Sequence, residues 1–184
     1  MSCFDFVWKD IVWSGYVSEH EAHDWNQIVQ THSRRVFSVA MRILGSVPDA
    51  EDVCQEVFLA AYRFQLANPV QSWVGLLVRL ATLRSLNASR RKRPTEMLND
   101  QDAQFSSDPA SDMIRKELAQ MLRTAIGKLP DQQATVFVMS HYEQMPREEI
   151  ASCLGVSPES VSSALYKARQ RLSEELPLSR QEND

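Results

Sequence analysis

The 184-residue sequence has little glycine, few cysteines and no long apolar run. It contains only 5 glycines and no alternating run of β-branched residues bounded by turns, which argues against a sheet and for an all-helical fold. Its three cysteines, Cys3, Cys54 and Cys153, are far apart and form no C-x-x-C pair, which favours a reducing cytoplasm. No apolar stretch approaches the roughly 20 residues of a membrane span, and we expect neither membrane insertion nor a signal peptide.

The sequence also lacks the patterns of catalytic and metal sites. No nucleophile–base pair and no glycine-rich phosphate loop is visible, which speaks against an enzyme. His20 and His23 could join Cys3 at a metal, but the spacing is poor and a fourth ligand is missing. We therefore expect no catalytic residue, no metal and no cofactor.

The net charge of −4 is unevenly distributed along the chain. Residues 23–94 hold ten Lys and Arg against five Asp and Glu, whereas residues 95–112 hold five acidic residues and no basic one. Residues 113–176 are balanced, with eight of each sign. The basic segment is suited to phosphate contacts, and an acidic segment would be attracted to a basic channel on a partner.

Apolar residues at helical spacing predict two helical domains. Three helices are expected within residues 23–94: one from Trp25 to Ile43, one with Asp49 as its N-cap, and one that ends in a basic cluster. Four short helices are expected in the second domain. The predicted organisation is an aromatic-rich extension 1–22, a three-helix domain 23–94, a flexible acidic linker 95–112, a four-helix domain 113–176 and a tail 177–184.

The stretch PREEIASCLGVSPESVSSALYKAR, residues 146–169, has the pattern of a helix-turn-helix. Ala151 is small where the two helices cross, Gly155 permits the tight turn, and Val161 and Leu165 bury the second helix. Ser157 is a natural N-cap, with Pro158 in the first helical position. An ordinary helical hairpin is the alternative, and the number of matched positions favours DNA binding.

A second motif is DAEDVCQEVFLAAY, residues 49–62. Its acidic residues lie on the helix face opposite Val53, Val57 and Ala61. On residue type alone, such a face is usually solvated surface.

Taken in order, these segments resemble the extracytoplasmic-function (ECF) sigma factors of the sigma-70 superfamily, the smallest bacterial transcription initiation subunits. The family's first two helices are similar to HSRRVFSVAMRILGSVPDAEDVCQEVFLAAYRF, including its pattern D-A-E-D-x-x-Q-E-x-F. Its promoter-melting helix is similar to QSWVGLLVRLATLRSLNASRRKRP, and its helix-turn-helix domain to LPDQQATVFVMSHYEQMPREEIASCLGVSPESVSSALYKARQRL. The resemblance covers about residues 24–94 and 113–176 and implies a factor that binds core RNA polymerase and directs promoter-specific initiation.

The resemblance also implies three groups of site residues. The polymerase-binding residues would be Asp49, Glu51, Asp52, Gln55 and Glu56. The residues for the minus-ten region would be Trp73, Arg79, Arg84, Asn87, Arg90, Arg91, Lys92 and Arg93. The helix-turn-helix residues for the minus-thirty-five element would be Ser157, Glu159, Ser160, Ser162, Ser163, Lys167, Arg169 and Arg171. The implied partners are core RNA polymerase, promoter duplex DNA and its melted single strand, with an anti-sigma factor as a further candidate.

The sequence departs from the family pattern at two places. Family members usually carry Asn and then Asp in the melting helix, where this chain has Leu80 and Arg84. Their recognition helix usually reads T-V-K-S-R-L, whereas this chain has Ser162 and Ala164 at the two cationic positions. An alternative interpretation is therefore a sigma-like regulator that has lost autonomous promoter recognition.

Overall fold

The computed structural model describes residues 19–91 and 109–176, and within these ranges it contains helices and no strand. The all-helical prediction is confirmed. The elements are α1 Glu19–Leu44, α2 Val47–Ala67, α3 Trp73–Arg91, α4 Pro109–Lys128, α5 Asp131–Phe137, a π-helical turn Val138–Tyr142, α6 Arg147–Leu154 and α7 Pro158–Glu175. Of the elements in these two ranges, none combines the length and the apolar character that crossing a bilayer would require.

Some predictions lie outside the described residues. These concern most of the extension 1–22, the linker between residues 92 and 108, and the tail after residue 176. Lys92, Arg93 and the side chains of the three suggested metal ligands also lie outside them. Helix α4 begins at Pro109, four residues before the predicted start of the second domain.

Helices α1, α2 and α3 pack together as the first helical group, around a core that includes Val36, Val57 and Leu77. An aromatic cluster closes one end of this core. Trp25 is 3% exposed, and its ring meets those of Tyr62 and Trp73 edge-on, with centroids 5.2 Å and 5.6 Å away. Edge-to-face pairs of this kind add to the stabilisation from burial, so the cluster fixes where α3 starts relative to α1.

The junction of α1 and α2 corrects one prediction. Gly45 ends α1 with φ 69°, a left-handed conformation that glycine adopts without steric cost. Helix α2 then begins at Val47 with Ser46 as its N-cap, so Asp49 lies in the first turn and does not cap the helix. Pro48 explains the earlier start, because a proline in the first turn gives up an N–H that would have no helical partner.

Helices α4 to α7 form the second helical group, which contains the helix-turn-helix. Helix α6 ends at Gly155 with φ 65°, and the predicted cap of α7 is confirmed: the backbone N–H of Ser160 donates to Ser157 Oγ at 3.2 Å. Ala151 and Val161 are buried where the two helices cross. The turn geometry of a helix-turn-helix is therefore present, and it is held by the residues that the sequence singled out.

Candidate nucleic-acid interface

Helix α2 presents an acidic face away from the core. Asp52 and Glu56 are exposed, whereas the other three predicted polymerase-binding residues are partly buried at its edges. The same side carries two exposed apolar side chains, Leu59 and Leu66, and Leu66 is 65% exposed. Asp52, Leu59 and Leu66 are spaced by seven residues, which places them in one row along the helix. The sequence analysis missed the two leucines, although this spacing is visible in the sequence.

An ion pair joins the acidic face to the basic helix. Arg84 Nη1 lies 2.8 Å from Glu56 Oε2, and both side chains are partly exposed. A predicted polymerase contact and a predicted promoter contact are thus bound to each other. Because exposed pairs of this type contribute at most about 1 kcal/mol, either partner could exchange the other for a phosphate or a polymerase side chain at small cost.

The remaining predicted promoter residues of α3 differ in accessibility. Arg79, Asn87 and Arg91 are exposed, and Arg91 Nε donates to the carbonyl of Asn87 at 3.2 Å. Trp73 is partly buried in the aromatic cluster, so much of its ring is already in contact with protein. Arg90 is exposed but bound to the second helical group, where its Nη1 donates to Asp131 Oδ1 at 2.8 Å.

Helix α7, the second helix of the helix-turn-helix, exposes most of its predicted DNA-binding residues. Those with exposed side chains are Ser157, Glu159, Ser160, Ser163, Lys167, Arg169 and Arg171. Ser162 is only partly exposed: its hydroxyl donates to the carbonyl of Pro158 at 3.0 Å and accepts from Arg147 Nη1 at 3.2 Å. Ala164 is buried, so it does not belong to the open face of this helix.

Two residues of this surface were missed by the sequence analysis. Tyr166 is 69% exposed in the middle of α7, and Arg147 opens α6 beside Ser162. Tyr166 falls outside the buried stripe of Val161, Ala164 and Ala168, and this spacing in the sequence could have predicted its exposure. No local pattern identifies Arg147, because its position depends on how α6 and α7 cross.

Two carboxylates lie in the first turns of the two helices of the helix-turn-helix. The pKa of Glu159 is lowered because its own backbone N–H and the Ser157 hydroxyl donate to it. The pKa of Glu148 is lowered by its own backbone N–H and then by Arg147. Both acids lie in the first turn of a helix, where the helix dipole also favours a negative charge. Their charges would repel DNA phosphates and weaken non-specific binding.

Within residues 19–91 and 109–176, no group of three or more His, Cys, Asp or Glu side chains is placed to hold a metal ion. Burial, and then the nearby Glu51, raises the pKa of Cys54 to about 12, so this thiol stays protonated and unreactive. Its surroundings are those of a core residue.

Similarity to known proteins agrees with this division into two groups. Models of the families described as Sigma-70 region 2 and Sigma-70, region 4 match residues 28–94 and 119–172. The chain is 31% identical over 157 residues to the ECF RNA polymerase sigma factor SigE of Mycolicibacterium smegmatis, covering 83% of this chain and 61% of that protein. It is 27% identical over 165 residues to the ECF RNA polymerase sigma factor SigW of Bacillus subtilis, covering 81% of this chain and 87% of that protein.

Solved structures support the fold. CnrH, in its complex with the cytosolic domain of CnrY, aligns with a TM-score of 0.58 and 23% identity over 95% of this chain and 98% of that chain. The sigma factor RpoE of Bartonella quintana, in complex with the anti-sigma factor NepR, aligns with a TM-score of 0.55 and 20% identity over 85% of this chain and 99% of that one. Because both sigma-70 regions are matched in order on the two helical groups, the chain belongs to the ECF sigma factors of the sigma-70 family.

Proposed function

We propose that the chain binds core RNA polymerase and directs it to specific promoters, acting as an initiation factor and not as an enzyme. The observation that carries this proposal is the placement of an exposed acidic and apolar face on α2 and a capped helix-turn-helix on the two groups that match the sigma-70 regions. This activity would take place in the cytoplasm, where polymerase and promoters are found. The alternative of a regulator without promoter recognition is not favoured, because the region that carries the helix-turn-helix is itself matched.

The face of α2 is the proposed polymerase-binding surface. Charged residues alone would give a solvated face, but Leu59 and Leu66 add apolar area that would be buried against a partner. Protein interfaces combine such an apolar centre with a charged rim that orients the partner. The row of Asp52, Leu59 and Leu66 has this composition.

The docking proposal is tested by reversing one charge. Asp52→Lys should weaken binding of the full chain to core polymerase by about tenfold, because a cation would replace an acid at the rim of the interface. Asp24→Lys makes the same charge change on an exposed position of α1 and should leave the affinity unchanged. Glu56 is a less clean choice, since a lysine there would also lie beside Arg84. Equal affinities for the two variants would contradict the docking proposal.

Promoter recognition is proposed for the exposed residues of α3 and α7. The recognition helix has hydroxyls and few cations near its N-terminus, so its contribution would be small unless polymerase and the first helical group hold it at the DNA. Hydroxyl groups can still bind phosphates and base edges, and Tyr166 offers an aromatic contact to thymine methyls.

Run-off transcription with core polymerase on genomic fragments tests this function. A promoter-directing factor gives transcripts with defined starts, whereas a regulator that only binds polymerase gives none. An anti-sigma factor is a further proposed partner, since the RpoE complex contains one. Its presence would be detected as a protein that suppresses those defined starts.

A further inference from the structure

The first half of helix α7 has no cation of its own. From Pro158 to Tyr166 it carries one acid, Glu159, and no Lys or Arg. In a helix-turn-helix, the N-terminal residues of the second helix are the ones that lie against the DNA. Because affinity for DNA depends mainly on cations that neutralise phosphates, this half of α7 would contribute little unless a basic side chain reached it from another element.

A guanidinium from α6 lies against this part of α7. Arg147 Nη1 donates to Ser162 Oγ at 3.2 Å, across 15 positions of the sequence. The Ser162 hydroxyl donates its proton to the carbonyl of Pro158 at 3.0 Å, so it can meet Arg147 only as an acceptor. Ser162 therefore fixes the position of Arg147 and has no proton left to donate to DNA.

The other side of the guanidinium is held only weakly. Glu148 Oε1 accepts from Arg147 Nε at 3.3 Å and from Arg147 Nη2 at 3.2 Å, which is the long end of the range for such bonds. The two side chains are 56% and 67% exposed, and exposed ion pairs contribute little. Two of the five N–H groups of Arg147 have no partner among the described residues. The guanidinium is thus placed by α7 and still able to bind a further acceptor.

A cleft of about 330 Å³ opens beside this contact, between α6 and α7. Its lining contains two cations and one acid, so the cleft carries a net positive charge. The polar and aromatic residues that matter here are Arg147, Arg169, Ser162, Tyr166 and Glu148. Tyr166 is 69% exposed, which shows that this side of α7 is open to a partner. Arginine and hydroxyl side chains are the usual ligands of DNA phosphates, so the lining suits one phosphate of a duplex backbone.

We propose that Arg147 supplies from α6 the cation that the first half of α7 lacks, and that it binds one phosphate of the promoter backbone at this cleft. Ser162 is then a positioning residue, since it acts on DNA through Arg147. The inference rests on the proposed function in one respect, which is that the helix-turn-helix binds duplex DNA. The phosphate replaces Glu148 on the guanidinium, whereas the bond to Ser162 is kept.

The phosphate contact is tested with Arg147→Ala in the full chain. Binding to a labelled duplex of mixed sequence is followed by fluorescence anisotropy across a salt series that begins at low ionic strength, where weak binding is measurable. Loss of one phosphate contact should make the salt slope shallower by about one unit. Arg115→Ala removes an exposed arginine from α4, in the same helical group, and should leave the slope unchanged. Circular dichroism checks that both variants keep their helical content.

A second pair of variants tests whether Arg147 stands in for a cation of α7. Adding Ser162→Lys to the Arg147→Ala chain places the charge on α7 itself and should return the salt slope to about its wild-type value. A slope that stays shallow in this double variant would contradict the replacement of one cation by the other.

The positioning role of Ser162 is tested by a double-mutant cycle. Ser162→Ala should weaken DNA binding of the otherwise wild-type chain by about threefold, because the guanidinium loses the hydrogen bond that holds it at α7. In the Arg147→Ala chain the same change should have no further effect. A serine that contacted DNA directly, or that only stabilised the fold, would weaken binding equally in both backgrounds.

Two further results would overturn the proposal. Equal salt slopes for wild type and Arg147→Ala would exclude the phosphate contact, and equal effects of Ser162→Ala with and without Arg147 would exclude the positioning role. The anisotropy measurement uses no polymerase. A failure of the proposed function would therefore be visible separately, as a wild-type chain that shows the expected slopes and gives no defined transcripts.

Discussion

Two hydroxyl groups of α3 are equally buried and differ in their bonding. Thr82 and Ser85 are both 0% exposed. Thr82 Oγ1 donates to the carbonyl of Val78 at 2.8 Å, whereas Ser85 Oγ has no hydrogen-bond partner among the described residues. A buried hydroxyl without a partner costs about 1–3 kcal/mol of desolvation, and a bonded one contributes about 1 kcal/mol. Removing the two hydroxyls should therefore have opposite effects on stability.

Ser85→Ala should raise the free energy of unfolding by about 1 kcal/mol, after the small loss of packing around the oxygen is subtracted. Thr82→Val keeps the shape of the side chain and should lower the free energy of unfolding by about 1 kcal/mol. Trp25 and Trp73 lie in the first helical group, so the change in tryptophan fluorescence in urea can report its unfolding. If the free energy of unfolding falls by about 2 kcal/mol per molar urea, the urea midpoints of the two variants should move by about 0.5 M in opposite directions. A lower midpoint for Ser85→Ala would refute this reasoning.

Three further predictions concern the second helical group. Burial, and then Arg169, lowers the pKa of His141, whose Nε2 accepts from Arg169 Nε at 3.2 Å. The unfolded state therefore takes up a proton first, so thermal stability should fall as the pH drops below about 6.5, and His141→Gln should flatten this dependence. Ser162→Lys should steepen the salt dependence of DNA binding by the full chain by about one unit, whereas Ser173→Lys at the far end of α7 should not. Gly155→Ala should lower the free energy of unfolding in urea by about 1–2 kcal/mol, because its φ of 65° is a left-handed conformation that costs alanine energy; an unchanged free energy would contradict this prediction.

Local sequence signals were sufficient for the helices and for the cap of α7. Ser157 and Pro158 occupy the cap and first position of that helix because their local preferences agree with its direction. Asp49 was assigned wrongly because an acid is as good a cap as serine, and the effect of Pro48 on the first turn was not weighed. Periodicity also separated buried from exposed faces on α2, where Val53 and Val57 are buried.

Contacts between the two helical groups could not be predicted from the sequence. Arg90 was assigned to DNA because it lies in a basic cluster, yet its partners are 37 to 41 residues away along the chain. Gly75 looks like an ordinary helical glycine until Cys153 is placed beside it. Such contacts depend on the crossing of helices far apart in sequence, which local propensity and periodicity do not encode.

The charges around the two proposed DNA-binding helices, α3 and α7, lead to one consequence for the free protein. The pKa values of Glu148 and Glu159 are lowered, so both acids are ionised near neutral pH within the helix-turn-helix, and Arg90 is already bound to Asp131 and to two backbone carbonyls of the second helical group. Both features, the ionised acids and the bound Arg90, reduce non-specific DNA binding, because such binding depends mainly on how many phosphates the protein's cations neutralise. A chain with weak DNA affinity of its own would not be held on the many competing genomic sites. Binding to polymerase would then supply the local concentration that the weak helix α7 requires, so promoter recognition would belong to the complex and not to the free chain.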